Sequence, residues 1–84
     1  MKANIMKRYH DYMENSGKLK VGVYEVTHLA SICGINLTTL LFLGAMANAQ
    51  KEPVQIKTGW YIYALKERIL GGETVYYLSV DNNL

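Results

Sequence analysis

The chain has 84 residues, a formal net charge of +2 and one cysteine, and half of its residues are hydrophobic. That length gives room for one core without a linker, and so apolar a composition excludes a disordered chain. We therefore predict a single domain over residues 1–84. The lone cysteine excludes an internal disulfide, and we expect a reducing, cytoplasmic compartment.

The first part of the chain predicts a helix followed by a short strand. Apolar side chains recur at helical spacing from Ala3 to Ser16, with charged residues largely opposite. That apolar face consists of Ile5, Met6, Tyr9, Tyr12 and Met13. The segment Asn15-Ser16-Gly17 is a stop signal, after which Leu19, Val21 and Val23 alternate with Lys or Gly, as in a half-buried strand. Because the first residues are charged and interrupted, no signal peptide is expected.

The stretch from Val26 to Gln50 contains no Asp, Glu, Lys or Arg. Its length and apolar window from Leu29 to Ala47 are compatible with one membrane span over residues 26–50. The polar residues within it argue against a span: Thr27, His28, Ser31, Asn36, Thr38, Thr39 and Asn48. The alternative that the spacing favours is a pair of helices in a small domain, and we therefore expect no membrane.

Three small or apolar residues support the interpretation of this stretch as a pair of helices. Ala30 permits close approach of two helices, Gly34 supplies the positive φ after the first helix, and Leu40 follows six residues later. Asn36 is a suitable N-cap for the second helix. The predicted inward residues are Leu29, Cys33, Leu40 and Leu43. The segment LASICGINLTTLL thus resembles the helix-turn-helix of winged-helix proteins.

The remaining chain predicts strands. Pro53 breaks the second helix, and Val54–Lys57 has the composition of a short strand. Two aromatic and β-branched runs, Trp60–Ile69 and Thr74–Val80, flank Gly71-Gly72 and predict a hairpin. A helix over Tyr61–Leu70 is the alternative, because Ala64-Leu65-Lys66-Glu67-Arg68 favours helix. Helix, strand, two helices and hairpin is the order of a winged helix, so we predict a small winged-helix-like α+β domain.

The residues for acid–base chemistry do not suggest an enzyme. His10 and His28 and the seven carboxylates are scattered, mostly on predicted polar faces. No Cys/His pairing suits zinc, and Gly71-Gly72 lacks the Lys-Ser/Thr of a phosphate-binding loop. Cys33 is expected to be a buried, inert thiol. We therefore expect neither catalysis nor a metal or cofactor.

DNA binding is the function that the resemblance implies. In this motif the second helix enters the major groove by its N-terminal half, where only Asn36, Thr38 and Thr39 offer hydrogen bonds. No Lys or Arg occurs between Lys20 and Lys51, although both residue types dominate contacts to DNA. Basic residues of the predicted wing and of the segment before the motif complete the candidate set: Lys57, Lys66, Arg68, Lys18 and Lys20. The first helix adds Lys2, Lys7 and Arg8.

The second helix of the motif also predicts a protein contact. Its expected outward residues are apolar: Leu37, Leu41, Phe42 and Ala45. A monomer does not usually leave such a stripe in water, so we expect a homodimer or another protein to cover it. A DNA-binding transcription regulator is therefore the leading hypothesis. The alternative is a protein-binding module without DNA, either a homodimerising adaptor or a phage- or plasmid-type modulator of a host complex.

Overall fold

A computed structural model describes residues 2–15 and 21–82. These residues form a small α+β domain with three helices and a four-stranded antiparallel sheet. The elements in chain order are α1 (Lys2–Glu14), β1 (Gly22–Glu25), α2 (Val26–Cys33), α3 (Leu37–Gln50), β2 (Val54–Lys57), β3 (Trp60–Leu70) and β4 (Glu73–Asn82). The sheet order is β1-β4-β3-β2, so the β3–β4 hairpin lies in the middle.

The sheet is covered by helices on both faces. Side chains alternate along a strand, so Ile62 joins the core beneath α2 and α3, while Tyr61 and Tyr63 join a second cluster with α1. In β4, Leu78 and Val80 belong to the first core. The intervening Ser79 and Asp81 bond to side chains of α1. The described part of the chain therefore has three layers, with the sheet between α1 and the α2–α3 pair.

The turn between α2 and α3 has the predicted geometry. Gly34 adopts φ 66° and ψ 35°, and its N–H donates to the carbonyl of Ala30. The side-chain oxygen of Asn36 accepts from the amides of Thr38 at 2.9 Å and Thr39 at 3.4 Å. The helices bend by 110° at this break, which lies within the range of helix-turn-helix pairs. The predicted positive φ of Gly34 and the predicted N-cap role of Asn36 are confirmed.

The helical alternative for Tyr61–Leu70 is wrong, because this segment is strand β3. It pairs with β4 from Trp60 to Leu70, and this ladder overrides the local helix preference. Gly71 and Gly72 both have positive φ, 59° and 84°, as a two-residue hairpin turn requires. The predicted hairpin and the short strand Val54–Lys57 are confirmed.

Two side chains that the sequence predicts to be at least partly buried are exposed in the structure. Met13 was expected on the inward face of the first helix but is 49% exposed, because the buried stripe of α1 is the narrower set Ile5, Tyr9 and Tyr12. Val23 was expected to be half-buried and is 57% exposed. Its neighbour Tyr24 is the β1 residue that packs against the core. Leu19 and Ser16 lie outside the described residues.

No single helix among residues 2–15 and 21–82 is long and apolar enough to cross a membrane. The α2–α3 pair meets the length and composition of a span only when both helices are counted together. Because the two helices are bent by 110° at the break between them, residues 26–50 do not form one continuous helix.

Candidate nucleic-acid interface

Two predicted wing cations lie on the same face of the hairpin. Lys66 pairs with Tyr77 and Arg68 with Val75, so alternation places all four side chains on one face of the sheet. The register shift between Ile62 and Ala64 reverses the alternation after Ile62, and this face is therefore the α1 side, where Lys66 and Arg68 line a cavity with Tyr12. The guanidinium carbon of Arg68 lies 5.1 Å from the Tyr77 ring centroid, and Lys66 Nζ lies 6.0 Å from that of Tyr12. Each cation is therefore held over an aromatic ring within the range of cation–π attraction.

These side chains line a cavity of about 190 Å³ between the hairpin and the end of α1. Its lining consists of Tyr12, Val21, Val23, Lys66, Arg68, Tyr77 and Ser79. The Tyr12 hydroxyl donates to Ser79 Oγ at 3.0 Å, which fixes the floor of the cavity. Two cations side by side at this cavity are suited to bind phosphate groups.

Lys57 does not belong to this group, although the sequence placed it in the same wing. Lys57 lies on β2 and pairs with Trp60, at the opposite end of β3 from the hairpin turn. Lys66 follows Trp60 by six residues along β3. At about 3.3 Å per residue, the two positions are separated by about 20 Å along the strand. The predicted wing cations therefore form one pair, Lys66 and Arg68, and one separate lysine.

The predicted base-reading residues lie on the other face of the sheet. Asn36 uses its side-chain oxygen to cap α3, while Thr38 and Thr39 are exposed. Since α3 packs on the face of the sheet opposite to Lys66 and Arg68, the sequence-predicted residues divide between two surfaces. Lys18 and Lys20 lie outside the described residues.

The basic residues of α1 have different roles. Lys7 is exposed, whereas Arg8 binds Asp81 through Nε at 2.6 Å and Nη2 at 3.1 Å. Tyr63 donates to the same carboxylate at 2.5 Å. Burial by itself would raise the pKa of Asp81, but the hydrogen bonds from Arg8 and Tyr63 outweigh it and hold that pKa below its usual value. Arg8 therefore joins α1 to the sheet, which reduces its availability for a ligand.

The apolar residues predicted at a protein interface are exposed with one exception. Phe42 is 64% exposed and Leu37 40% exposed, and Ala45 is also at the surface. Leu41 is instead half-buried and packs against the core beneath α2 and α3. It lies on the flank of α3, so its expected outward position is wrong.

Sequence reasoning missed the aromatic half of the candidate interface. Tyr12 and Tyr77 meet the cations only through the β3–β4 pairing and the docking of α1, neither of which the local sequence indicates. The alternation of Lys66 and Arg68 along β3 was the available signal that they share one face. Among the described residues, no three His, Cys, Asp or Glu side chains come together in a group that could hold a metal ion.

Comparison with protein-family models, curated proteins and solved structures found no match to this chain. The residues and their placement are therefore the basis on which a function is assigned.

Proposed function

We propose that this chain is a small, non-enzymatic DNA-binding regulator of the winged helix-turn-helix type, acting through the basic face of its hairpin. The observation that carries the proposal is the pair Lys66 and Arg68, held side by side over Tyr12 and Tyr77. Phosphate contacts by Lys and Arg supply most of the sequence-independent affinity for DNA. The bent α2–α3 pair and the β1-β4-β3 arrangement support the winged-helix part of the proposal.

The uncharged surface of α3 limits what this protein reads in DNA. Asn36, Thr38 and Thr39 offer few hydrogen bonds, and no Arg is present on α2 or α3 to read guanine. Binding through Lys66 and Arg68 would therefore depend on phosphates more than on base sequence. The unpaired Cys33 is compatible with a reducing cytoplasm, where nucleic acid is accessible.

The test is the salt dependence of binding to a fluorescently labelled duplex of mixed sequence, followed by anisotropy. The double variant Lys66→Ala/Arg68→Ala should weaken binding to all sequences. It should also flatten the plot of log affinity against log salt by about 0.9 for each phosphate that the variant no longer neutralises. Lys57→Ala is the matched control, since it removes an exposed lysine far along β3 and should leave the slope unchanged.

A wild-type chain without salt-dependent duplex binding would reject the proposal. The protein-binding module would then be the better hypothesis, because the exposed Phe42 is an observation in its favour that does not depend on DNA. Unchanged binding in the double variant would show that cations other than Lys66 and Arg68 contact the phosphates. Lys7 on α1 would be tested next.

A further inference from the structure

The outward ridge of α3 has a pattern that neither the core nor the basic hairpin explains. The inward residues Leu40, Gly44 and Ala47 are buried beneath it. On the opposite side of the helix a row of exposed residues follows the spacing 4, 3, 4, and consists of Thr38, Phe42, Ala45 and Ala49. This spacing is the one by which two helices pack along a shared seam.

The side chains of this ridge differ in size, and the large ones would face small ones on an antiparallel second copy of the same ridge. In an antiparallel pair of α3 helices, placing Phe42 opposite Ala45 of a second copy also places Thr38 opposite Ala49. Each large or branched side chain then faces an alanine, so the single aromatic ring of each copy enters a gap left by a small residue. A row of four large residues would separate the helices, and four alanines would leave little apolar surface to bury.

Charge also favours a second copy over an unrelated partner. In a twofold contact the same patch lies on both sides, so a charged group near the axis approaches its own copy, and a charged group elsewhere in the patch loses water unless an opposite charge faces it. The whole segment from Val26 to Gln50 carries no Asp, Glu, Lys or Arg, so this surface has neither cost. Phe42, 64% exposed at the centre of the ridge, gains the most by being covered.

We propose that this protein forms a twofold homodimer through antiparallel packing of α3, with Phe42 of each copy against Ala45 of the other. The helix has 14 residues and is about 21 Å long, so the contact is small and the dimer exchanges with monomer. The proposal does not rest on DNA binding, because α3 and the basic hairpin face lie on opposite faces of the sheet.

The test exchanges the large and small side chains at positions 42 and 45. Dimerisation of each variant is measured by sedimentation equilibrium over a concentration series. Phe42→Ala should weaken the dimer about tenfold or more by removing the large side chain. Ala45→Phe should weaken it similarly, because two rings then oppose each other. The double variant Phe42→Ala/Ala45→Phe restores large against small at both layers and should recover dimerisation. Both positions are exposed, so circular dichroism should show the wild-type fold in every variant.

Met13→Ala is the matched control, since Met13 is an exposed apolar residue on α1, across the sheet from α3. It should leave the dimer unchanged. A wild-type chain that stays monomeric at millimolar concentration would overturn the proposal. Dimerisation unaffected by either single variant, or not recovered in the double variant, would equally overturn it. Duplex binding by Lys66→Ala/Arg68→Ala is measured in a separate experiment on a different surface. Failure of the dimer proposal is therefore distinguishable from failure of the DNA-binding proposal.

Discussion

Gly34 sets the angle between α2 and α3 by adopting a conformation that L side chains rarely adopt. Its φ is 66°, and an added Cβ would meet no atom within 4 Å. The penalty of Gly34→Ala therefore arises from the backbone alone, and we expect a loss of about 1 kcal/mol in the free energy of unfolding, measured in urea. Gly34→Asn should lose less, because Asn tolerates this region better. Equal stability of wild type and Gly34→Ala would contradict this account.

Gly44 is needed for a different reason, the close approach of α3 to the sheet. An added Cβ would lie 2.8 Å from Leu78 Cδ2 and 3.1 Å from Leu65 Cβ. Alanine is the better helix former by about 1 kcal/mol, yet overpacking costs about 1–3 kcal/mol, so Gly44→Ala should be destabilising. The reverse change on the exposed ridge, Ala49→Gly, should lose about 1 kcal/mol through helix preference alone. A more stable Gly44→Ala in urea denaturation would show that the sheet relaxes freely.

At the scale of elements, Asn48 connects α3 to the edge of β3 that faces away from β4, at a point that β2 does not cover. Its side chain donates to the Leu65 carbonyl and accepts from the Leu65 amide, both at 2.9 Å. Pairing of β2 with β3 extends only to Ile62, so Asn48 supplies the two hydrogen bonds that a neighbouring strand would have made.

Asn48→Ala should therefore lower the free energy of unfolding by about 1 kcal/mol. The loss is modest because the backbone amide and carbonyl of Leu65 can form hydrogen bonds with water instead. Hydrogen exchange is the sharper measurement, and the Leu65 amide should lose protection by about tenfold while the amides of the β3–β4 ladder keep theirs. Gln50→Ala, two residues further along the exposed end of α3, is the control. Unchanged exchange at Leu65 would show that Asn48 does not protect this edge.

The elements of this fold differ in how far the sequence predicts them. The α2–α3 turn was predictable because Gly34 and Asn36 act through their own backbone and the adjacent amides. Segment 61–70 was ambiguous, because helix preference is local whereas its pairing partner lies beyond the turn. For the candidate site, alternation was sufficient to place Lys66 with Arg68. Lys57 is separated from Lys66 and Arg68 because β2 pairs with the opposite end of β3. Composition does not specify which end of β3 pairs with β2.

At the scale of the whole molecule, the unexpected feature is the position of α1. An amphipathic pattern shows which side of α1 is buried but not which face of the sheet it covers. That choice follows from Tyr61 and Tyr63, whose rings occupy the face opposite to Ile62, and from the Arg8–Asp81 pair. The ring centroid of Tyr63 lies 5.3 Å from those of Tyr9 and Tyr12. A buried carboxylate at the end of β4 thus holds the third layer in place.

This arrangement makes stability depend on pH through Asp81. Its pKa is lower in the folded chain than in the unfolded chain, despite burial, because Arg8 and Tyr63 donate to the carboxylate. The folded state therefore binds protons less readily, and the stabilisation is fully present above the unfolded pKa of about 4. It is lost as the pH falls from there through the folded pKa, when protonation removes the charge that binds Arg8.

Urea denaturation at pH 7 and at several points below pH 5 should show this loss in the wild type. Asp81→Asn should lose about 1–3 kcal/mol at pH 7, because Arg8 and Tyr63 lose a charged acceptor, and should show a shallower dependence on pH below 5. Asn82→Ala, a neutral change at the next and exposed position, should keep the wild-type dependence. Because Asp81 anchors α1 rather than α3, the hydrogen-exchange protection of α1 should fall first on acidification. Simultaneous loss of protection in α1 and α3 would show that the third layer is not an independent unit.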